Sequence, residues 1–551
     1  MTEQIQTEWE EININTDVLV IGSGYTGLAA AREISASGYP VILVSSDSAA
    51  ADSSEIRPLE GLEDSARKEL AGLAKEVESD SNIKMLKKAR LVDARGVPGD
   101  FTVRLAYPQK EEVEEKVGAI VIATEFFSKP ANGAYNLALS DRILSLSQFE
   151  EMIKGPKKDT FSGKTIAFVF GFAGESTPLA MEKIFRAVLA AESLDDCTPY
   201  VYAGNLKVAS EGLERLFLES RDRGANYFKL NQPPVIDADG SIITFTDPVT
   251  NLEMEAAPDY IIIEEELKAD AANERLSNIL RIDAGPGNFL QTENVHRFPV
   301  RSNREGIFVI GGSRDIQGMP AAIMDVDNAV LEIKNLLKDG RITTPKNKAL
   351  LDIGKCTFCI TCYRCCPHGA IYWDETNKPV ISLVACQACG ICASECPMDA
   401  IQIGSYTDAE IMDLLKSTVE AETANPRIVA FCCQNSAYEA GLMAESFGLE
   451  LPANLQIIRV PCAGKVDLEY ILNAFVEGAE GVLVMTCHPG NCLSEKGNTY
   501  AKWRVEDAQR RLSEIGMEPE RLGFVTLASN MGSDFSSAVI EMRDKLNDLK
   551  T

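Results

Sequence analysis

The sequence predicts three folded parts in one chain: an α/β domain of Rossmann type, a small α+β domain, and a second α/β domain at the C-terminus. Three observations predict them. Near the N-terminus an apolar run meets a glycine turn and then a helical segment. Between residues 356 and 396 one cysteine pattern occurs twice, and after residue 426 three strand-like runs each lead to cysteine.

In the first part, Asp17 to Ile21 (DVLVI) is of strand type and runs into Gly22-Ser23-Gly24-Tyr25-Thr26-Gly27, followed by the helical LAAAREISASG. This is GxGxxG between a strand and a helix, where glycines let the backbone approach a pyrophosphate and the helix N-terminus favours negative charge. Gly22, Gly24 and Gly27 are therefore candidate cofactor contacts, and a second strand, Pro40 to Val44, completes the βαβ unit. An acidic ribose ligand is expected roughly 20 residues on. The chain has Ser45 there and Asp47 two residues later, and the role is open between them. A nested second Rossmann unit is expected over about residues 160–300, where TIAFVF (Thr165 to Phe170) meets Gly171-Phe-Ala-Gly174 and a helix. Its glycine pattern is incomplete, and Glu175 and Glu182 are expected to repel a nucleotide phosphate, so it reads as a structural remnant rather than a working nicotinamide site. Cys197, alone in this insert, reads as an ordinary thiol.

The second part reads Cys356-x-x-Cys359-x-x-Cys362-x-x-x-Cys366-Pro367, then Cys386-x-x-Cys389-x-x-Cys392-x-x-x-Cys396-Pro397. This is the bacterial two-cluster ferredoxin run, in which each triplet takes its fourth ligand from the other. It predicts two [4Fe-4S] sites, one of Cys356, Cys359, Cys362 and Cys396, the other of Cys386, Cys389, Cys392 and Cys366. Structural zinc also uses paired CxxC groups, but four ligands per ion do not explain two triplets each closed by Cys-Pro. Cys365 breaks the repeat and reads as a packed neighbour of a site rather than a ligand.

After a helical linker expected over 406–425, RIVAFCC, LQIIRVPCAG and GVLVMTCHPGNC are β-rich runs that bring Cys432, Cys433, Cys462, Cys487 and Cys492 to strand C-termini. Four thiolates suit a [2Fe-2S] cluster: Cys462, Cys487 and Cys492 with either Cys433 or Cys432. The bland reading is that these cysteines are small apolar residues at strand ends. His488 cannot alone supply the histidine pair of a Rieske centre and is expected to donate a hydrogen bond or cap a turn.

Composition bounds the function. The 551 residues exceed one core and suggest three or four units. A formal charge of -28 repels a polyphosphate backbone, which argues against nucleic acid as partner. No run approaches a membrane span and the N-terminus MTEQIQTEWEE is acidic, so a cytoplasmic location is expected, with membrane association only through partner subunits. Fourteen of fifteen cysteines follow residue 350 at metal-ligand spacings, which fits a reduced compartment. The three histidines, His296, His368 and His488, are too few for an extended histidine-based centre.

Two further segments resemble the two-dinucleotide-binding FAD flavoproteins. GAIVIATE (Gly118 to Glu125) is similar to that family's Ala-Thr-Gly strand, with Glu125 where glycine is usual. Gly306-Ile-Phe-Val-Ile-Gly311-Gly312 resembles its last FAD-contacting strand, with Gly312 where the wider family has aspartate, and it leads into a helix near Pro320. The resemblance implies FAD, with Thr124, Gly311 and Asp315 among its contacts. The order of parts, flavoprotein then eight-cysteine ferredoxin, resembles the heterodisulfide reductase A-type family, and RVPCAGKVDLEYILNAFVEGAEGVLVMTCHPGNC is similar to the delta chain of methyl-viologen-reducing hydrogenase. Their fusion resembles the B-type family of quinone-interacting membrane-bound oxidoreductases. The absence of cysteine from residues 1–196 and the replacement Cys433-Gln-Asn-Ser436 depart from these families. The resemblance implies one component of an oxidoreductase, passing electrons among FAD, two [4Fe-4S] clusters and one [2Fe-2S] cluster, with other redox subunits as partners. The rival readings are an NAD(P)H-dependent flavin iron-sulfur reductase and an iron-sulfur scaffold with a degenerate flavin site.

Overall fold

The computed structural model describes residues 8–45, 64–108, 111–156, 158–174, 176–291, 294, 298–416 and 426–549. Asp47, Glu175 and His296 lie outside them.

The strand Val18–Ile21 is the middle of a five-stranded parallel sheet, in the order Ile307–Val309, Ala119–Ile122, Val18–Ile21, Val41–Ser45, Ile83–Lys87. Its strands are continuous Val/Ile/Leu/Ala runs because both sheet faces are covered. Val18 and Val20 join the core beneath the helices Tyr25–Ala36 and Met319–Leu337, while Leu19 and Ile21 join the core on the other face. The second strand ends at Ser45, one residue beyond the expected Pro40–Val44, which leaves Ser45 buried in the sheet.

The nested unit repeats this plan. Its parallel sheet runs Ile143–Ser145, Tyr260–Ile263, Thr165–Phe170, Thr198–Ala203, Asn226–Lys229. The antiparallel pair Phe126–Pro130 with Glu265–Ala269 joins the two units.

In the eight-cysteine part, each two-stranded pair joins one cysteine repeat to the other. Ala349–Leu351 pairs with Ile401–Ile403 and Ile371–Trp373 with Pro379–Ile381, and the one-turn helices Thr361–Cys365 and Ile391–Ser394 occupy equivalent places in the two cysteine repeats. The expected linker helix is described from Asp408 to Lys416. Beyond it, four parallel strands follow the order Leu455–Val460, Ile428–Cys433, Gly481–Thr486, Leu522–Thr526, so that the C-terminal ends of the first three share one edge. No helix among the described residues is long and apolar enough to cross a membrane.

Candidate functional site

The two cysteine repeats fold alike because their loops share a backbone conformation that most residues avoid. Phe358 and Ile360 have positive φ, and so do Ala388 and Gly390 at the matching places; Gly369 and Asp399 form a third such pair. Left-handed conformations at non-glycine residues are costly and collect at functional sites. Here they turn amide groups toward sulfur: Phe358 N–H donates to Cys356 Sγ and Ala388 N–H to Cys386 Sγ, each at 3.4 Å. Ala370 N–H donates to Cys366 Sγ at 3.4 Å and Ala400 N–H to Cys396 Sγ at 3.3 Å. Such bonds stabilise thiolate and tune a bound cluster.

The thiols divide in the crossed manner. Cys356, Cys359, Cys362 and Cys396 line one cavity, completed by apolar side chains including Phe358 and Met398. Burial raises the Cys362 thiol, and Cys356, Cys359 and Cys396 are the thiols that add to the rise. For Cys392, burial raises the thiol, and Cys389, Cys366, Cys386 and Cys365 add to the rise. Cys365 donates to the carbonyl oxygen of Cys362 at 3.5 Å and is pushed up by burial, as a packed thiol between the groups.

In the C-terminal domain Cys432 and Cys433 point to opposite sheet faces, as neighbours on a strand must. Cys433 joins the core that holds Cys462, Cys487 and Cys492; Cys432 packs on the other face against Met485, 3.9 Å from its sulfur. The sulfurs of Cys462 and Cys492 lie 4.0 Å apart, and Cys433, Cys462, Cys487 and Cys492 shift one another's thiol equilibria, as close thiols sharing protons do. The helix Gly497–Glu514 starts against this group, so close that a Cβ at Gly497 would lie 2.2 Å from Cys462 Sγ. A helix N-terminus at four thiols favours their anionic form. His488 stands outside the group, its Nδ1 3.1 Å from Thr526 Oγ1 and its Nε2 3.4 Å from Met531 Sδ. Among the described residues no three His, Cys, Asp or Glu side chains close on a single-ion position.

The second ferredoxin group and the C-terminal group adjoin. Cys389 packs against the core that contains Cys433, Cys462, Cys487 and Cys492. Ser394 donates to Lys465 O at 2.7 Å, and Arg504 reaches from Gly464 O and Val466 O, 2.8 Å each, to an ion pair with Glu395. The flavoprotein half meets both neighbours: Asn303 Nδ2 donates to Pro367 O at 3.0 Å, Arg281 lies over the Tyr363 ring, and Asn294 Nδ2 donates to Cys492 O at 2.9 Å. Arg304 is buried beside Gly369, which lowers it to about 10.

At the first glycine turn the backbone packs too closely to admit side chains. Gly22 has φ +119 and a Cβ there would lie 2.1 Å from Ala123 O; Gly27 is as tightly held against Gly22 O. Gly311 approaches the same turn from the far end of the domain, 2.6 Å from Thr26 Oγ1 to its hypothetical Cβ. Ser45 accepts from Ser23 Oγ at 2.7 Å, and Thr124 Oγ1 donates to Asn273 at 2.6 Å. The fit of a dinucleotide has one obstacle, the carboxylate of Glu125, which lies where a Cβ at Gly24 would be, 2.2 Å from Oε1. Asp315 is exposed and engages Ile316 N–H; the acid that reaches Gly311 is Asp325, which accepts from its N–H at 3.0 Å and from Arg314 at 2.9 Å.

The residues 428–550 match the family described as methyl-viologen-reducing hydrogenase, delta subunit. Within them the chain is 38% identical over 122 residues to the vhu iron-sulfur protein (the D chain) of the F420-non-reducing hydrogenase of Methanopyrus kandleri, 22% of this chain and 92% of that relative. The C-terminal domain belongs to this delta family. The residues 17–56 match an FAD binding domain. Over 466 residues, 80% of this chain, the protein is 22% identical to the A component of the ferredoxin:CoB-CoM heterodisulfide reductase of Methanosarcina mazei, and it spans 59% of that relative's length. The thioredoxin reductase of T. acidophilum is a structural neighbour with TM-score 0.40 and 15% identity, covering 58% of this chain and 99% of that one. The chain thus joins a flavoprotein similar to that heterodisulfide reductase component to a delta-type domain.

In the delta-type domain Ser436, read from the sequence as replacing a thiol, is buried beside Cys433. Three residues escaped the sequence reading: Lys465, Glu264 and the role of Glu125. Glu182, expected to repel phosphate in the nested unit, is instead paired with Arg186 at 2.7 Å on an exposed helix face. The carboxylate at that turn is Glu264, which accepts from Gly171 N–H at 2.9 Å, Phe172 N–H at 3.3 Å, Ala173 N–H at 3.2 Å, and from Tyr135 OH. The sequence showed only an acid directly after an apolar strand; that this strand neighbours the glycine turn is visible in the fold alone.

Proposed function

We propose that this oxidoreductase chain is the electron-carrying component of a larger complex, holding FAD at its first glycine turn, two [4Fe-4S] clusters in the crossed thiol groups, and a [2Fe-2S] cluster on Cys433, Cys462, Cys487 and Cys492. The observation that carries the reading is the adjacency of three four-thiol groups, with Cys389 packed against the core that holds the last. When bound, FAD exchanges electrons in pairs or singly and the clusters singly, which makes the chain a converter and a wire. The protein's own part is to hold thiolates at helix ends and beneath amide donors, to exclude water, and to fix the spacing of the groups.

The Cys356 group lies near the surface, with Cys359, Phe358 and Met398 exposed, and is the end at which we expect a partner to exchange electrons. Donor and acceptor are other redox subunits; a quinone-linked membrane partner fits the cysteine-free residues 1–196 better than a heterodisulfide-reducing one. The nicotinamide alternative is opposed by Glu264 in the nested turn. Anaerobic purification of the intact complex, iron and sulfide analysis, and electron paramagnetic resonance test the assignment. Cys389→Ser and Cys487→Ser are each expected to remove one cluster signal and stop electron flow; flow surviving both changes rejects the wire.

A further inference from the structure

The first dinucleotide turn holds a carboxyl group of its own chain. Glu125 follows the strand Ala119–Ile122, and its carboxylate enters the arch of Gly22 to Gly27, where Thr26 N–H in the first turn of the helix donates to it. That amide and the helix N-terminus are what a bound phosphate would use. The seat is poorly satisfied: Glu125 Oε1 and Thr26 Oγ1 are both buried with no hydrogen-bond partner. The charged group facing Glu125 is Asp270, whose repulsion adds to burial in raising the carboxyl to about 7.

The nested unit shows the same device completed. Glu264 follows the strand Tyr260–Ile263, which neighbours Thr165–Phe170 as Ala119–Ile122 neighbours Val18–Ile21. Its carboxylate satisfies three turn amides and the Tyr135 hydroxyl, a filled anion nest. To leave, Glu264 must surrender four hydrogen bonds and expose amides; Glu125 surrenders one and relieves an orphaned oxygen.

We propose that Glu125 is a latch on the diphosphate seat, a side chain that FAD must displace to bind, so that residue 125 sets how tightly this chain holds its flavin. A carboxyl group and a phosphate cannot occupy the same arch, and the side chain needs only to rotate out of it. The closed arrangement lowers apparent flavin affinity by the fraction of chains with the seat open. Glu264 has no such freedom, and the nested turn stays shut.

The inference rests on the flavin part of the function proposed above. The test uses the full chain, purified anaerobically with its clusters and stripped of flavin, titrated with FAD and followed by flavin fluorescence. Iron content and circular dichroism check the fold of each variant. Glu125→Gly is expected to bind FAD about tenfold or more tighter than the unaltered chain. Glu125→Gln, which removes charge but keeps bulk, is expected to fall between and carries the test if the glycine variant does not fold. Equal, measurable affinity in all three overturns the latch alone. Failure of all three to bind FAD overturns both the latch and the flavin assignment.

Discussion

The aliphatic stem of Lys465 lies flat on Gly390: a Cβ at Gly390 would come within 2.7 Å of Lys465 Cβ and 2.8 Å of its Cδ. Gly390 follows Cys389 of the second ferredoxin group, and Lys465 is three residues past Cys462 of the delta-type domain. The contact therefore sets the separation of two thiol groups by direct backbone-to-side-chain packing.

Gly390→Ala must meet Lys465 while holding φ +85, so it is expected to destabilise the chain by about 2 kcal/mol or more. A lowered thermal midpoint, with weaker magnetic interaction between the adjoining clusters, checks it; an unchanged midpoint contradicts the packing argument.

Lys465→Met keeps the stem and removes the ammonium, which donates to Asp408 at 2.6 Å and to Tyr470 OH in a buried setting. Breaking a buried pair costs about 3–5 kcal/mol, less here because Asp408 is partly open to water; a loss of about 2 kcal/mol is expected. Adding Asp408→Asn should recover part of that loss in a double-mutant cycle.

Exchange of single cysteines separates ligands from neighbours. Cys432→Ser and Cys365→Ser are expected to retain full iron, whereas Cys433→Ser and Cys366→Ser each lose one cluster by iron analysis and electron paramagnetic resonance. Loss of iron in Cys432→Ser would reverse the assignment of the pair.

The raised Glu125 carboxyl has a pH signature. In the flavin-free chain the folded state binds its proton more tightly than the unfolded state, so this contribution to stability is complete below the unfolded value, declines from about 4.5 to about 7, and is absent above. Glu125→Gln is expected to be more stable than the unaltered chain at pH 8, by about 3 kcal/mol at most, with the difference gone at pH 4.5. Parallel curves of thermal midpoint against pH would contradict it.

Glu264→Ala is expected to destabilise by about 2–4 kcal/mol, since three turn amides and Tyr135 lose their acceptor. In the unaltered chain NADH and NADPH are expected to leave the flavin oxidised in anaerobic stopped flow; rapid bleaching would restore the nicotinamide reading.

Much of the site was legible because its chemistry is local. Spacing placed Cys356, Cys359 and Cys362 on one loop, and the Cys-Pro repeats predicted that Cys366 and Cys396 would cross. The ring of Cys433, Cys462, Cys487 and Cys492 was legible as strand ends on one edge, yet Cys432 could not be set aside until the strand's facing was known. Ser45 and Asp315 were read as flavin contacts; one is buried against Ser23 and the other faces water, because side-chain direction depends on where the strand and the turn end.

The sequence alone determined the order of domains, the strand-turn-helix unit at Gly22 to Gly27, and the inventory of thiols, since each rests on spacing within a few turns of chain. Only the tertiary structure decided which carboxylates fill the two glycine turns and which glycine carries Lys465. Those relations join residues as distant in sequence as Gly24 and Glu125, Gly171 and Glu264, Gly390 and Lys465. An acid at a strand end is an ordinary solvated residue until the sheet places it over a neighbour's free amides, and sheet order is a property of packing that no local pattern contains.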